Sequence, residues 1–241
     1  MASKTRLERT DLLITPERTA RLQQANVLVV GLGGVGSYAA EFLGRAGIGK
    51  MTIVDGDVVD ITNINRQLPA LMSTVGISKA QLMGARLLDI NPDMQLTIVE
   101  QFMQPSAMDE LIANGKFDWV LDCIDSFQPK MELIMCCKDR RVKVISSMGA
   151  GAKVDPSRVK VTDIFKTREC PLAQQIRKAL KKRNVKSGFK VVTSEEPIIA
   201  QSLCMTDGSN FKRSFYGTIS YMPARFGLEM AAYVIRQIAG I

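Results

Sequence analysis

Residues 27–66 read VLVVGLGGVGSYAAEFLGRAGIGKMTIVDGDVVDITNINR. The apolar run Val27-Leu28-Val29-Val30 leads directly into Gly31-x-Gly33-Gly34-x-Gly36. A helical pattern follows, then a second apolar run that ends at Asp55. This order predicts a strand, a phosphate loop, a helix and a second strand with an acid at its end. Glycines in such a loop let backbone N–H groups approach a phosphate with no Cβ in the way. The helix that follows adds the positive end of its dipole. Asp55 lies nineteen residues beyond Gly36, where a carboxylate can meet ribose hydroxyls. The segment predicts a bound nucleotide. On the glycine pattern alone, a nicotinamide dinucleotide for hydride transfer is the leading reading.

On either side the pattern keeps alternating. Thr15-Pro16-Glu17 reads as a helix start. Ser78 caps a helix from Lys79 to Ile90, which Asn91-Pro92 stops. Strands are expected at 95–99, 118–122 and 142–146, and helices at 105–114 (ending at Gly115) and 127–140. Gly149-Ala150-Gly151 breaks the rhythm. Beyond it come a strand near Val159–Val161, a basic helix, a loose polar stretch from Ser194 to Lys212, and a last helix opened by Pro223. Its stripe Phe226, Met230, Val234 and Ile238 reads as core or subunit interface. The expected fold is α/β: a doubly wound, Rossmann-like, mostly parallel sheet with helices on both faces and a smaller C-terminal extension of strands and helices. Residues 1–241 are read as one domain, with a nucleotide-binding core at about 26–150 and a substrate or dimer part at about 151–241.

Composition narrows the chemistry. The 241 residues contain no histidine. That excludes Ser-His and Cys-His nucleophile pairs and histidine-ligated metals. The five cysteines form no C-x-x-C pair, so neither zinc nor a disulfide framework is expected, and a reducing cytoplasm is the simplest setting. No apolar run approaches the length of a membrane span, and the first residues carry no signal-peptide core. The net charge is +8, and its excess is local. Between Glu169 and Glu195 stand Arg177, Lys178, Lys181, Lys182, Arg183, Lys186 and Lys190 with no acid among them. Two readings are open here: a solvated helix face, or a patch for a polyanion such as RNA.

Several residues exceed what hydride transfer needs. Asp55, Asp57 and Asp125 all fall at predicted strand ends, where an open parallel sheet holds its ligand. Lys79 opens a helix, an unfavourable place for a cation unless it faces a polyphosphate. Arg66 and Lys79 would meet the phosphates, and Asp125 would hold Mg²⁺. That set suits cleavage of a triphosphate.

The wording GLGGVGSYAAEFLGRAGIG, VDGDVVDITNINRQ, GISKA and DCIDS resembles the ATP-dependent adenylating enzymes of the ubiquitin-activating superfamily, which includes the sulfur-carrier activators. Within it the chain looks most like the branch that cyclises threonylcarbamoyladenosine in tRNA, on the features Asp-Ile-Thr-Asn-Ile-Asn-Arg-Gln, Val161-Thr162-Asp163-Ile164 and Gly217-Thr218-Ile219-Ser220. The resemblance implies that Gly31, Gly33, Gly34, Gly36 and Asp55 bind ATP. It places Asp57 beside them, Asn63, Arg66 and Lys79 on the phosphates, and Mg²⁺ on Asp125. It further implies that Arg9 reaches the site of a second subunit, which requires a homodimer. The partners it implies are tRNA and, for this branch, a sulfur-relay protein. The alternative it leaves is adenylation of the C-terminus of a ubiquitin-like carrier protein. Cys204 occupies the region where ubiquitin activators carry a thioester cysteine, and the preferred reading is a bystander thiol. Cys123, Cys136 and Cys137 are read as core.

Overall fold

Val27, Leu28, Val29 and Val30 are all buried, as a strand covered on both faces requires. They form the body of β1 (Asn26–Val30), which pairs in parallel with β2 (Lys50–Val54) on one side and β4 (Trp119–Asp122) on the other. Beyond β2 lies β3 (Gln95–Val99). Beyond β4 lie β5 (Val144–Ser147), then β7 (Lys190–Ser194), then β6 (Val159–Asp163) at the edge. Only β6 is antiparallel to its neighbour in this seven-stranded sheet. The computed structural model describes residues 5–205 and 214–241. The last part of the predicted loose stretch therefore lies outside the described residues.

Side chains alternate across β1 and build two cores. Val27 and Val29 face one layer, made of α2 (Pro16–Gln24), α3 (Gly36–Arg45), α4 (Lys79–Ile90) and α8 (Tyr221–Ala239). Leu28 and Val30 face the other, made of α5 (Pro105–Gly115) and α6 (Phe127–Asp139). A third cluster seats α7 (Pro171–Lys182) through Ala173, Ile176 and Leu180. Each fully buried aliphatic or aromatic side chain contributes on the order of 1.5–3 kcal/mol. Phe226, Met230 and Val234 are fully buried, so the stripe of the last helix is core. Gly227 lets α8 approach α3 closely, since a Cβ there would lie 2.4 Å from the Val35 carbonyl oxygen.

Glu41 locks α3 to α4. Its carboxylate is buried and takes Arg86 Nε at 2.6 Å and Arg45 Nη2 at 2.6 Å. Burial pushes this carboxyl up, but the bonds and charges of Arg86 and Arg45 outweigh it and leave it below the ordinary carboxylate range.

The structure departs from the sequence reading in several places. The helix expected to stop at Gly115 includes it, and Lys116 takes the left-handed position with φ 48°. The last helix starts at Tyr221, with Pro223 inside its first turn. A short helix, α1 (Glu8–Ile14), precedes the predicted one. The strand β7 was hidden because Lys190 extends the basic run that precedes it. Part of the loose stretch pairs as a small ribbon, β8 (Leu203–Met205) with β9 (Ser214–Tyr216). Among the described residues, no helix is long and apolar enough to cross a membrane.

Candidate nucleotide site

The parallel strands β1, β2, β4, β5 and β7 all end on one rim of the sheet, where a doubly wound fold binds its ligand. Gly31 leaves β1 with φ 91°, a conformation that favours glycine, and donates its N–H to the Val54 carbonyl at 2.8 Å. The loop then folds on itself so tightly that a Cβ on Gly36 would sit 1.7 Å from the Gly31 carbonyl oxygen. Gly36 opens α3, whose N-terminus has no side-chain cap. Gly33 differs: the nearest atom to a Cβ there is Gln67 Nε2 at 3.6 Å. A side chain on Gly33 would therefore meet only the end of the Gln67 side chain, at ordinary contact distance, and no backbone.

Asp55 closes the loop from β2. Its Oδ2 accepts the Leu32 N–H at 2.6 Å and its Oδ1 accepts the Asp57 N–H at 2.8 Å. Burial raises its carboxyl above the ordinary range, opposed by these two amides and by Lys79. Each oxygen retains a second lone pair for a ribose hydroxyl. Lys79 is buried, and its Nζ lies 3.0 Å from Asp57 Oδ2. The cation at the start of α4 is thus neutralised by Asp57, which is half-exposed at the rim.

A second loop covers the glycines. Asp60 and Asn63 form a reciprocal capping box around the turn Ile61–Asn63: Asp60 Oδ1 accepts the Thr62 N–H at 2.8 Å, and Asn63 Oδ1 accepts the Asp60 N–H at 3.3 Å. Asn63 is buried in that role. Arg66 follows, donating from Nη1 to the Thr62 carbonyl and to Asn65 Oδ1, both at 2.8 Å. Its backbone oxygen would lie 3.3 Å from a Cβ on Gly34. Burial lowers the Arg66 guanidinium pKa, and the charge of Asp125 acts in the opposite sense. Asp125 itself is exposed in the loop after β4 and accepts the Ser126 hydroxyl at 3.3 Å.

Gly31, Gly33, Gly34, Gly36, Asp55, Asp57, Asn63, Arg66, Lys79 and Asp125 therefore share one rim. Arg9 does not join them. It is exposed on α1. Nearby Leu7 packs on Gly47, and Arg6 bonds Asn91, both beside the amino ends of β2 and β3. That is the opposite rim.

The donor set fits a metal–triphosphate pair. Among the described residues, no group of three or more acidic or thiol side chains could cage a metal. Mg²⁺ is commonly held by one or two carboxylates together with substrate phosphates, and Asp125 is an exposed carboxylate on this rim within electrostatic reach of Arg66.

Sequence reading assigned no role to Gln67, whose Oε1 is buried beside the glycine loop and has no hydrogen-bond partner among the described residues. It also missed Lys130, fully buried against Asp122. A lysine on an otherwise apolar helix face was the available signal. Cys137 is buried, Cys123 and Cys136 are partly buried against the cores, and Cys204 is exposed on β8. Of the basic run, Arg177 is half-buried and donates to Thr167, while Lys178, Lys181, Lys182, Arg183, Lys186 and Lys190 are exposed.

Comparison with known proteins identifies relatives along nearly the whole chain. A tRNA threonylcarbamoyladenosine dehydratase of Haemophilus influenzae is 36% identical over 236 residues, covering 94% of this chain and 90% of the relative. One of Bacillus subtilis is 38% identical, covering 95% and 93%. The crystal structure of the Escherichia coli tRNA N6-threonylcarbamoyladenosine dehydratase in complex with ATP superposes with a TM-score of 0.86 at 33% identity, covering 98% of this chain and 94% of that one. Sulfur-carrier and molybdopterin-synthase adenylyltransferases match only 54% and 56% of the chain. The ThiF family model matches residues 7–241, nearly the whole described fold, and the chain belongs to the ThiF family.

Proposed function

We propose that this protein dehydrates threonylcarbamoyladenosine in tRNA, using ATP to activate the carboxylate as an acyl adenylate. The observation that carries the reading is the rim itself. A tight glycine loop, Asp55 at the end of β2, and Arg66 and Asp125 within electrostatic reach of each other lie in a chain that matches dehydratases along nearly its whole length.

The glycine loop and the start of α3 bind the phosphates through backbone N–H groups, and Asp55 takes the ribose. The side-group carboxylate attacks the α-phosphorus, the bond to the β-phosphate oxygen breaks, and pyrophosphate leaves. Arg66 stabilises the charge that develops there. Asp125 would hold Mg²⁺, which would neutralise charge on the triphosphate. Lys79 stands in reserve behind Asp57 and turns to the phosphates as they arrive. The carbamoyl group of the same side chain then attacks the acyl carbon, the ring closes and AMP departs with the carboxylate oxygen. That step is intramolecular and gains from high effective concentration, so a protein thiol has no required part.

The active species is a homodimer. Arg9 stands on the rim opposite its own glycine loop, so it serves a site only in a second copy. Leu12 and Leu13 beside it on α1 are 83% and 82% exposed, which supports a covered face in the assembly. The exposed cations of α7 and the following loop dock the tRNA backbone. A cytoplasmic setting and a sulfur-relay partner accompany this reading.

Purified protein with ATP, Mg²⁺ and threonylcarbamoylated tRNA should yield nucleosides lighter by one water, with AMP and pyrophosphate released. Asp125→Ala should abolish turnover more than it weakens tRNA binding. No mass change, together with adenylation of a carrier protein's C-terminus, would transfer the assignment to the carrier-activating alternative.

A further inference from the structure

Beneath the loop that carries Asp125 lies a cluster the reaction above does not use. Asp122 ends β4, Ser146 is its register partner on β5, and Lys130 reaches them from α6. Lys130 and Asp122 are both 0% exposed. Lys130 Nζ donates to Asp122 Oδ2 at 2.7 Å and to Ser146 Oγ at 3.1 Å, while the Ser146 hydroxyl donates to the same Oδ2 at 2.5 Å. Asp122 Oδ1 turns the other way and accepts the Ile124 N–H at 3.1 Å. The Lys130 backbone N–H holds the Ser126 carbonyl at 3.3 Å. The cluster therefore grips the loop at the Ile124 amide, the ordinary first-turn bond of α6 holds its other end, and Asp125 sits between them.

A buried ion pair is an expensive way to hold two strands and a helix together. Removing two charges from water costs several kcal/mol per ion, and apolar replacements of similar volume are commonly neutral or stabilising. Stability alone therefore does not account for a charged cluster here. Direction does: Oδ2 is fixed by Lys130 and Ser146, which aims Oδ1 at one backbone amide and sets the course of the loop. We propose that Lys130, Asp122 and Ser146 are positioning residues that hold Asp125 at its working place on the rim. They act through the Ile124 amide and touch neither nucleotide nor tRNA. The proposal rests on the adenylation reading for its catalytic consequence, though not for its structural one.

The test replaces the cluster with apolar side chains, Asp122→Leu/Lys130→Met/Ser146→Ala, in the full chain. The expected protein is folded. Its Ile124 amide exchanges with solvent at least about tenfold faster, because its buried acceptor is gone. Its kcat for AMP release falls about 10- to 100-fold, since a misplacement of about 1 Å is worth on the order of 100-fold. Its KM for ATP moves less than about threefold, because the glycine loop and Asp55 are untouched. A merely structural role would lower yield or Tm and leave kcat intact. If the triple variant does not fold, Ser146→Ala alone keeps the ion pair and should show smaller changes in the same two readouts. A folded variant with wild-type kcat and wild-type Ile124 exchange overturns the proposal. Should the wild-type chain itself be inert on modified tRNA, the adenylation reading fails, and the Ile124 exchange rate alone decides whether the cluster holds the loop.

Discussion

Gly33 and Gly36 belong to the same loop, yet the structure gives opposite expectations for an alanine at each. At Gly36 the new Cβ would lie 1.7 Å from the Gly31 carbonyl oxygen and 3.0 Å from Cys123 Cβ. Both neighbours are rigid, so the loop must open by more than about 1 Å. Overpacking of this kind costs about 1–3 kcal/mol. For a chain of this length that lowers Tm by about 2–12 °C. At Gly33 the nearest atom is the end of a glutamine side chain at 3.6 Å, an ordinary contact, and φ is not in the left-handed region. Alanine there should leave the fold intact, and it stabilises by about 0.4–1 kcal/mol where the backbone permits it. The methyl does, however, fill the space a phosphate needs against the backbone. Losing one charge-assisted hydrogen bond of about 1.5–3 kcal/mol weakens ATP binding by about 10- to 150-fold. Thermal unfolding and calorimetric ATP titration of both variants measure the two effects separately. Gly33→Ala should show an unchanged or raised Tm with much weaker ATP binding, and Gly36→Ala should lose both. A Gly33→Ala protein that binds ATP like the wild type would refute the idea that the Gly33 face of this loop is the phosphate cradle.

Four further outcomes follow from the same geometry. Mixing Arg9→Ala with Asp125→Ala protein should restore activity toward about a quarter of the wild-type level, because random exchange leaves about that share of sites with both residues; no recovery after confirmed subunit exchange removes the trans role of Arg9. Reversing Lys178, Lys181 and Lys182 to glutamate should weaken tRNA binding and flatten its salt dependence by about 0.9 for each duplex phosphate no longer neutralised, with ATP affinity unchanged because the end of α7 lies beside the amino end of β7. The folded-state pKa of Glu41 is lowered, so as pH falls the unfolded chain takes up that proton first, and the stability Glu41 contributes is present above its ordinary value of 4.5 and lost below it; urea unfolding should find Glu41→Gln less stable than wild type near neutral pH, with the gap narrowing as pH falls below 4.5. Cys204→Ser should keep most activity in the AMP-release assay, and a loss of the order of 100-fold would place the exposed thiol in the reaction.

What the sequence disclosed follows from the range over which each signal acts. The β1 run, the glycine loop and Asp55 are local: their spacing alone forces a strand, a turn without side chains and a strand end. Ser78 and Asn91-Pro92 are local too, and they bound α4 where expected. The strand β7 was missed because five residues give little period, and Lys190 at its head looked like more of the basic run. Lys79 shows how far a local argument reaches. Its unfavourable place at a helix start suggests a polyphosphate as its partner, and the partner in the structure is Asp57, twenty-two residues earlier in the chain. Arg177 was grouped with the exposed cations because sequence cannot show that its side chain folds back to Thr167.

Lys130 and Arg9 mark the limit most sharply, for opposite reasons. Lys130 reads as a surface residue because lysine almost never buries its charge. Only the pairing of β4 with β5, which sets Asp122 against Ser146, creates the acceptors that make its burial tolerable. That pairing is a long-range fact with no trace in the local pattern. Arg9 is assigned a trans role only through the family resemblance, and within one chain it is an exposed arginine near the start. Its rim is the wrong rim for its own glycine loop, so any role in the reaction exists only between two copies. The first case needs the tertiary fold and the second needs the assembly. The same division explains why the residues of the glycine-loop rim could be named from their local pattern while Lys130 could not: ligand chemistry restricts residue type at a position, whereas support depends on which segments the fold brings alongside.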